Sequence, residues 1–136
     1  RPDAFTSYST AFFGAANTSS WISFVPAAGD GNVTRLWSGT AWYDADAALG
    51  QIPAGQRSHI AFTVDNGAVT LYINGQVEFS GENYPNVFAT GQTTNFGLGV
   101  NHWDVPFNGA IDELKIYSDP IGADLVQALS EAGSTE

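Results

Sequence analysis

Residues 57–81, RSHIAFTVDNGAVTLYINGQVEFSG, alternate apolar and polar positions with a period of two and are interrupted twice by Asn-Gly. His59, Ala61 and Thr63 alternate with Ile60, Phe62 and Val64, and after Asp65-Asn66-Gly67 the pattern resumes with Val69, Leu71 and Ile73 against Thr70 and Tyr72. A helix repeats its faces about every 3.6 residues, so this pattern cannot sit on one without scattering its apolar side chains around the axis. Asn-Gly supplies the two successive positive φ angles of a tight hairpin turn. The stretch therefore predicts a meander of three antiparallel strands, turning at Asn66-Gly67 and again at Asn74-Gly75, with one face buried and the other wet or partner-facing.

The remaining text is compatible with more of the same. STAFFGA, SWISFVP and VTRLWSG, within residues 9–38, are short aromatic or β-branched runs bounded by Gly, Ser, Pro or Asn, and predict three strands. AAGDGN, residues 27–32, carries the Asp-Gly chemistry of a hairpin between the last two. After a polar loop at 80–93 come two further predicted strands, TNFGLGV and AIDELKIY (residues 110–117). Gly97 and Gly99 bare one strand face for close approach by a backbone or a ring. The one helix expected is ADLVQALSEAG, with Leu125, Ala128 and Leu129 on its apolar stripe and Gly133 at its stop. Charged residues make up only 13% of the 136 residues, too few for long salt-bridged helices, so the class is all-β in a single domain spanning 1–136.

Charge and cysteine usage exclude several functions. Fourteen acids face four bases (Arg1, Arg35, Arg57 and Lys115), for a net charge of −10, which repels a phosphate backbone and argues against nucleic acid as a partner. The same field favours a bound cation or simply a surface that resists self-association. With no cysteine, disulfides, thiolate metal sites and thiol catalysis are ruled out. No apolar run approaches the roughly 20 residues of a membrane helix, so membrane insertion by a helix is not expected. Sequons stand at Asn17 and Asn32.

SHIAFTVDNGAVTLYINGQ, then NFGLGV, then FNGAIDELKIYSDPIGADLVQAL, together resemble the bacterial laminin-G-like branch of the concanavalin A-like jelly rolls over about residues 57–130. Gly109, Ile111, Asp112, Glu113, Leu114, Ile116 and Tyr117 fit that family's late G-x-I-D-E-(L/V)-x-I-Y strand, and Leu71 to Gly75 its L-Y-(I/V)-N-G hairpin, while Arg57 and Ser58 stand where Trp and His are usual. The resemblance implies an antiparallel β-sandwich jelly roll with a short C-terminal helix. It also implies that RPDAFTSYSTAFFGA follows strands that usually open the domain, so a separate N-terminal segment is expected to complete the sandwich. An acid at Asp112 would, on the same resemblance, help to hold a structural Ca2+ with oxygens from those first strands; calcium takes six to eight oxygen ligands, so Asp112 alone cannot define the site.

Catalysis is not expected. Retaining glycoside hydrolysis needs two carboxyls on one side of the sugar, hence alternate residues of a strand, whereas Asp112 and Glu113 are consecutive. No G-x-S-x-G elbow occurs, and His59 and His102 show no metal-ligand spacing; His59 reads as a hydrogen-bonded structural histidine. Binding fits better. NHWD, residues 101–104, and WSGTAWYDAD, residues 37–46, each combine rings that stack on sugar faces with amides and carboxylates that bond hydroxyls. Trp103, Asn101, His102, Asp104, Trp42 and Tyr43 are the expected glycan-binding residues; Trp37 is expected in the core, Trp42 suits core or rim equally, and Trp103 is the ring expected to be exposed. The expected function is a non-catalytic carbohydrate-binding module of a secreted or cell-surface protein, the alternative being an adhesion or spacer module in a large surface protein.

Overall fold

A computed structural model of the chain describes residues 1–4, 8–28, 33–39, 52–88 and 93–133, together with the backbone of 42–44. Eight strands and one helix stand among them: β1 Phe12–Asn17, β2 Ser20–Val25, β3 Arg35–Ser38, β4 Trp42–Asp44, β5 Ile60–Asp65, β6 Ala68–Ile73, β7 Gln76–Gly81, β8 Asn95–Leu98 and α1 Ala123–Gly133. They form two antiparallel sheets, one of order β4-β3-β2-β1-β8 and one of order β5-β6-β7. The all-β sandwich and its C-terminal helix are as expected.

The meander over 57–81 turns where its Asn-Gly pairs stand. Asn66 and Gly67 have φ of 49° and 89°, and Asn74 and Gly75 φ of 51° and 80°, the double left-handed conformation that matches the twist of paired strands. Val64 lies opposite Val69 and Phe62 opposite Leu71. Asn74 also braces β5, its side-chain oxygen accepting from His59 N at 2.9 Å. The β1–β2 turn uses a different device that the sequence reading did not specify: Asn17 Oδ1 accepts from both Ser19 N and Ser20 N at 2.9 Å. The expected Asp-Gly turn falls at 29–32, outside the described residues, although Ala28 N donates to Val33 O just inside its ends.

Period two then sorts each strand. Ile22, Phe24 and Leu36 of the five-stranded sheet meet Val69, Leu71 and Ile73 of the other, with Ile52, Tyr84 and Val87 closing the core cluster. Phe12 adds an edge-to-face contact with Phe62 across the sheets, centroids 5.3 Å apart. At about 25 cal/mol per Å2 of apolar surface, each fully buried Leu or Ile stabilises the sandwich by roughly 2 kcal/mol.

Two expectations are corrected. In α1 the fully buried residue is Val126, with Leu129 and Ser130 half-buried beside it, while Leu125 and Ala128 are exposed. The rotation follows from where the helix docks: it lies over the β6–β7 turn, where a Cβ on Gly75 would come within 3.2 Å of Gln127 Cα. Residues 110–117 are not a strand. Their sequence has strand character, but a ladder needs a neighbour, and among the described residues only Arg1 and Pro2 pair at its beginning, through Ala110 and Gly109.

Candidate ligand-binding site

Because Ile22, Phe24 and Leu36 point into the sandwich, their strand neighbours must point out of it. The register aligns Phe13 with Ser23, Ser23 with Trp37, and Ala15 with Trp21 across three strands. This outer face would be a bare aromatic sheet were it not for residues 99–104, which fold over β1. Gly99 N donates to Ala11 O at 3.0 Å and Phe107 N to Gly99 O at 2.8 Å, anchoring both ends of the crossing.

Asn101 organises the loop. Its amide nitrogen donates to Thr10 Oγ1 at 2.9 Å and to Asp104 Oδ2 at 2.6 Å, and its oxygen accepts from Trp103 N at 3.1 Å and Asp104 N at 2.7 Å. Thr10 is itself buried and bonded to Ser23 at 2.5 Å, so the loop is tied through Thr10, just ahead of β1, to β2. Turn residues that spend their polar side chain on nearby backbone leave their apolar neighbours to project, and Trp103 does so at 53% exposure.

The result is a row of rings. Trp37 meets Trp21 edge to face at 4.7 Å, and Trp21 meets Trp103 at 5.3 Å. Trp103 and His102 in turn stand perpendicular to Phe13 at 5.7 and 5.5 Å. Phe13 is the buried floor; Trp21 and Trp37 are half-buried, and His102 and Trp103 are exposed. Glycine permits the close packing at two points. A Cβ on Gly39 would stand 3.0 Å from Trp21 Nε1 and 2.8 Å from Ser19 O, and one on Gly97 would stand 2.7 Å from Val100 O. A cleft of about 160 Å3 lies beside the row, between Phe13, Asn95, Asn101 and His102.

The structure thus brings Trp103, His102, Asn101 and Asp104 together, and places Trp42 opposite Trp37 and Tyr43 opposite Leu36 on β4. The side chains of Trp42 and Tyr43, and the whole of Asp46, lie outside the described residues. Trp37 is corrected from core to outer face, because Leu36 and Ser38, on either side of it, are the buried ones. Sequence reasoning missed Trp21 and Phe13. The signal was available in SWISFVP: once Ile22 and Phe24 are core, Trp21 and Ser23 face the other way.

Asp112 belongs to a different region. Its side chain is 69% exposed and sits 3.5 Å from the Arg57 guanidinium, and among the described residues no three His, Asp or Glu side chains gather as a metal site. A cation held there would meet the arginine, so the residues present do not fit calcium by themselves. Glu113 is bonded to Lys115 at 2.6 Å, which lowers its carboxyl pKa below the ordinary value. His59 lies half-buried on β5's approach; burial, followed by the charges of Lys115 and Arg57, lowers its pKa.

Laminin_G_3, a model of the concanavalin A-like lectin/glucanases superfamily, matches residues 1–127. The chain belongs to the concanavalin A-like lectin/glucanases superfamily. Among solved structures, this concanavalin A-like domain is similar to domain 4 of AbnA, a GH43 extracellular arabinanase from Geobacillus stearothermophilus, solved in complex with arabinotriose. The two are 51% identical with a TM-score of 0.84, over 96% of this chain and 62% of that one. A second structure, of an S-layer domain-containing protein from Clostridium thermocellum, is 19% identical with a TM-score of 0.49, over 96% of this chain and 65% of the other. No curated protein matches the chain.

Proposed function

We propose that this domain is a non-catalytic carbohydrate-binding module that takes arabino-oligosaccharides on the outer face of its five-stranded sheet, in a protein that works outside the cell. The observation that carries the reading is the row Trp37, Trp21, Trp103, His102, which offers ring faces and edges of graded exposure beside a mainly apolar cleft that Asn95 and His102 also line. Aromatic faces bind the C–H surfaces of sugars, and the neighbouring Asn95 amide and His102 imidazole supply directional hydrogen bonds. The 51% identical arabinanase domain, solved with arabinotriose, supports both the ligand class and the extracellular setting. The carboxylates support the absence of catalysis: Asp112 and Glu113 are each engaged with a base, and neither lies among the rings.

Calorimetric titration of the domain with arabinotriose, with cellotriose as control, tests the reading. Arabinotriose binds the parent domain, and Trp103→Ala and Trp21→Ala each weaken it at least tenfold, about 1.4 kcal/mol, with unchanged circular dichroism. Absence of arabinotriose binding to the parent removes the carbohydrate reading in favour of an adhesion or spacer role. Binding that both variants retain moves the sugar away from the rings.

A further inference from the structure

The rings of the outer face are turned against one another. The planes of Trp37 and Trp21 lie 75° apart and those of Trp21 and Trp103 71°, and Phe13 stands at 89° to both Trp103 and His102. In an edge-to-face pair the edge of one ring covers the face of the other. A flat sugar ribbon needs successive faces in one plane, and this row supplies none. Trp103 presents the exposed indole, at 53%, with Trp21 and Trp37 half-buried behind it as its support.

On the β8 side of Trp103 the sheet carries less. β8 pairs with β1 so that Gly97 lies opposite Phe13 and Asn95 opposite Ala15, which puts both on the outer face. Gly97 brings no side chain to that face, and the cleft of about 160 Å3 opens there beside Phe13. Pockets for drug-sized ligands start at about 300 Å3, so this cleft suits a single sugar ring and not a chain. His102 joins the two places, since it lines the cleft and its ring centroid stands 5.9 Å from that of Trp103. The Asn101 side chain is spent on Thr10, Asp104 and the loop backbone. The side chains of Asn95 and His102 are exposed and hydrogen-bond to no described residue, which leaves their polar atoms for the hydroxyls of a ligand.

We propose, building on the carbohydrate reading above, that the site grips two consecutive residues of a bent arabino-oligosaccharide and no more. One residue stacks on the open face of Trp103, and the next enters the cleft. His102 lies beneath the link between them, and Asn95 bonds a hydroxyl of the second residue, which makes Asn95 a specificity-determining position. Longer chains gain nothing, because Trp21 and Trp37 are turned out of the plane in which a third residue would stack. Titrations with methyl arabinofuranoside, arabinobiose and arabinohexaose, followed by amide and indole NMR signals, test this. Each affinity is divided by the number of registers that the chain offers. Arabinobiose then binds more tightly than the methyl glycoside by about fivefold or more, the worth of one added hydrogen bond, while arabinohexaose stays within that factor of arabinobiose. Asn95→Ala, an exposed change, removes the gain of arabinobiose and leaves the methyl glycoside within about twofold of the parent. A per-register gain of fivefold or more at arabinohexaose refutes the two-residue limit. No gain from methyl glycoside to arabinobiose, or a gain that survives Asn95→Ala, refutes the role of the cleft. These outcomes leave the carbohydrate reading standing; failure of every arabinoside to bind overturns that reading and this proposal together.

Discussion

Asn101, Thr10 and Ser23 form a buried-to-surface relay in which one side-chain amide serves two donors and two acceptors' worth of loop geometry. From the sequence, the amide in NHWD reads as a ligand contact; in the fold it is used internally, and its product is the placement of His102 and Trp103. Replacing it with alanine leaves Thr10 and the Trp103 and Asp104 amides without that partner. Asn101→Ala should therefore destabilise the domain by about 2 kcal/mol, within the range for stranding part-buried polar groups. Urea unfolding measures it, and tryptophan fluorescence of the folded variant should report a more solvated indole. An unchanged unfolding midpoint would show that the loop is held by its anchors at Gly99 and Phe107 alone.

The two Asn-Gly turns of the meander provide a controlled comparison between elements. Both glycines have left-handed φ, 89° at Gly67 and 80° at Gly75, so alanine carries a backbone cost of about 1 kcal/mol at either. Space differs: the nearest atom to a Cβ on Gly67 is 3.7 Å away, in ordinary contact, while at Gly75 the helix backbone stands at 3.2 Å. Gly75→Ala is accordingly the more damaging, by about another 1 kcal/mol of overpacking, and it should loosen α1, seen as faster amide exchange around Val126. Equal denaturant midpoints for the two variants would mean that α1 does not press on the turn.

Across the whole molecule, fourteen acids stand against four bases. Among the described residues, exposed pairs join Arg1 to Asp3 at 2.9 Å, Arg57 to Asp112 at 3.5 Å and Lys115 to Glu113 at 2.6 Å. Exposed pairs contribute roughly 0–1 kcal/mol each, and the net charge of −10 repels itself over longer distances. Raising sodium chloride from 0.01 M to 0.15 M shortens the screening length from about 30 Å to about 8 Å. The thermal midpoint should rise over that interval by a few degrees; a fall would show that local ion pairs outweigh the general repulsion.

What could be read from the order of residues was whatever depends on near neighbours. Period-two alternation and Asn-Gly pairs specified β5, β6, β7 and both of their turns, because pleat and turn dihedrals are settled within four or five residues. The same alternation contained, unread, the outward direction of Trp21 and Trp37, which becomes visible only when Ile22, Phe24 and Leu36 are known to face a second sheet. Tertiary packing alone decided the rest. The face of α1 depends on its docking over Gly75; the loop at 99–104 becomes a scaffold for rings because Thr10, ninety-one residues from Asn101, is there to accept from it. Residues 111–117 have strand composition but form no strand among the described residues, since a strand's hydrogen bonds belong to its neighbour and no local pattern can supply one.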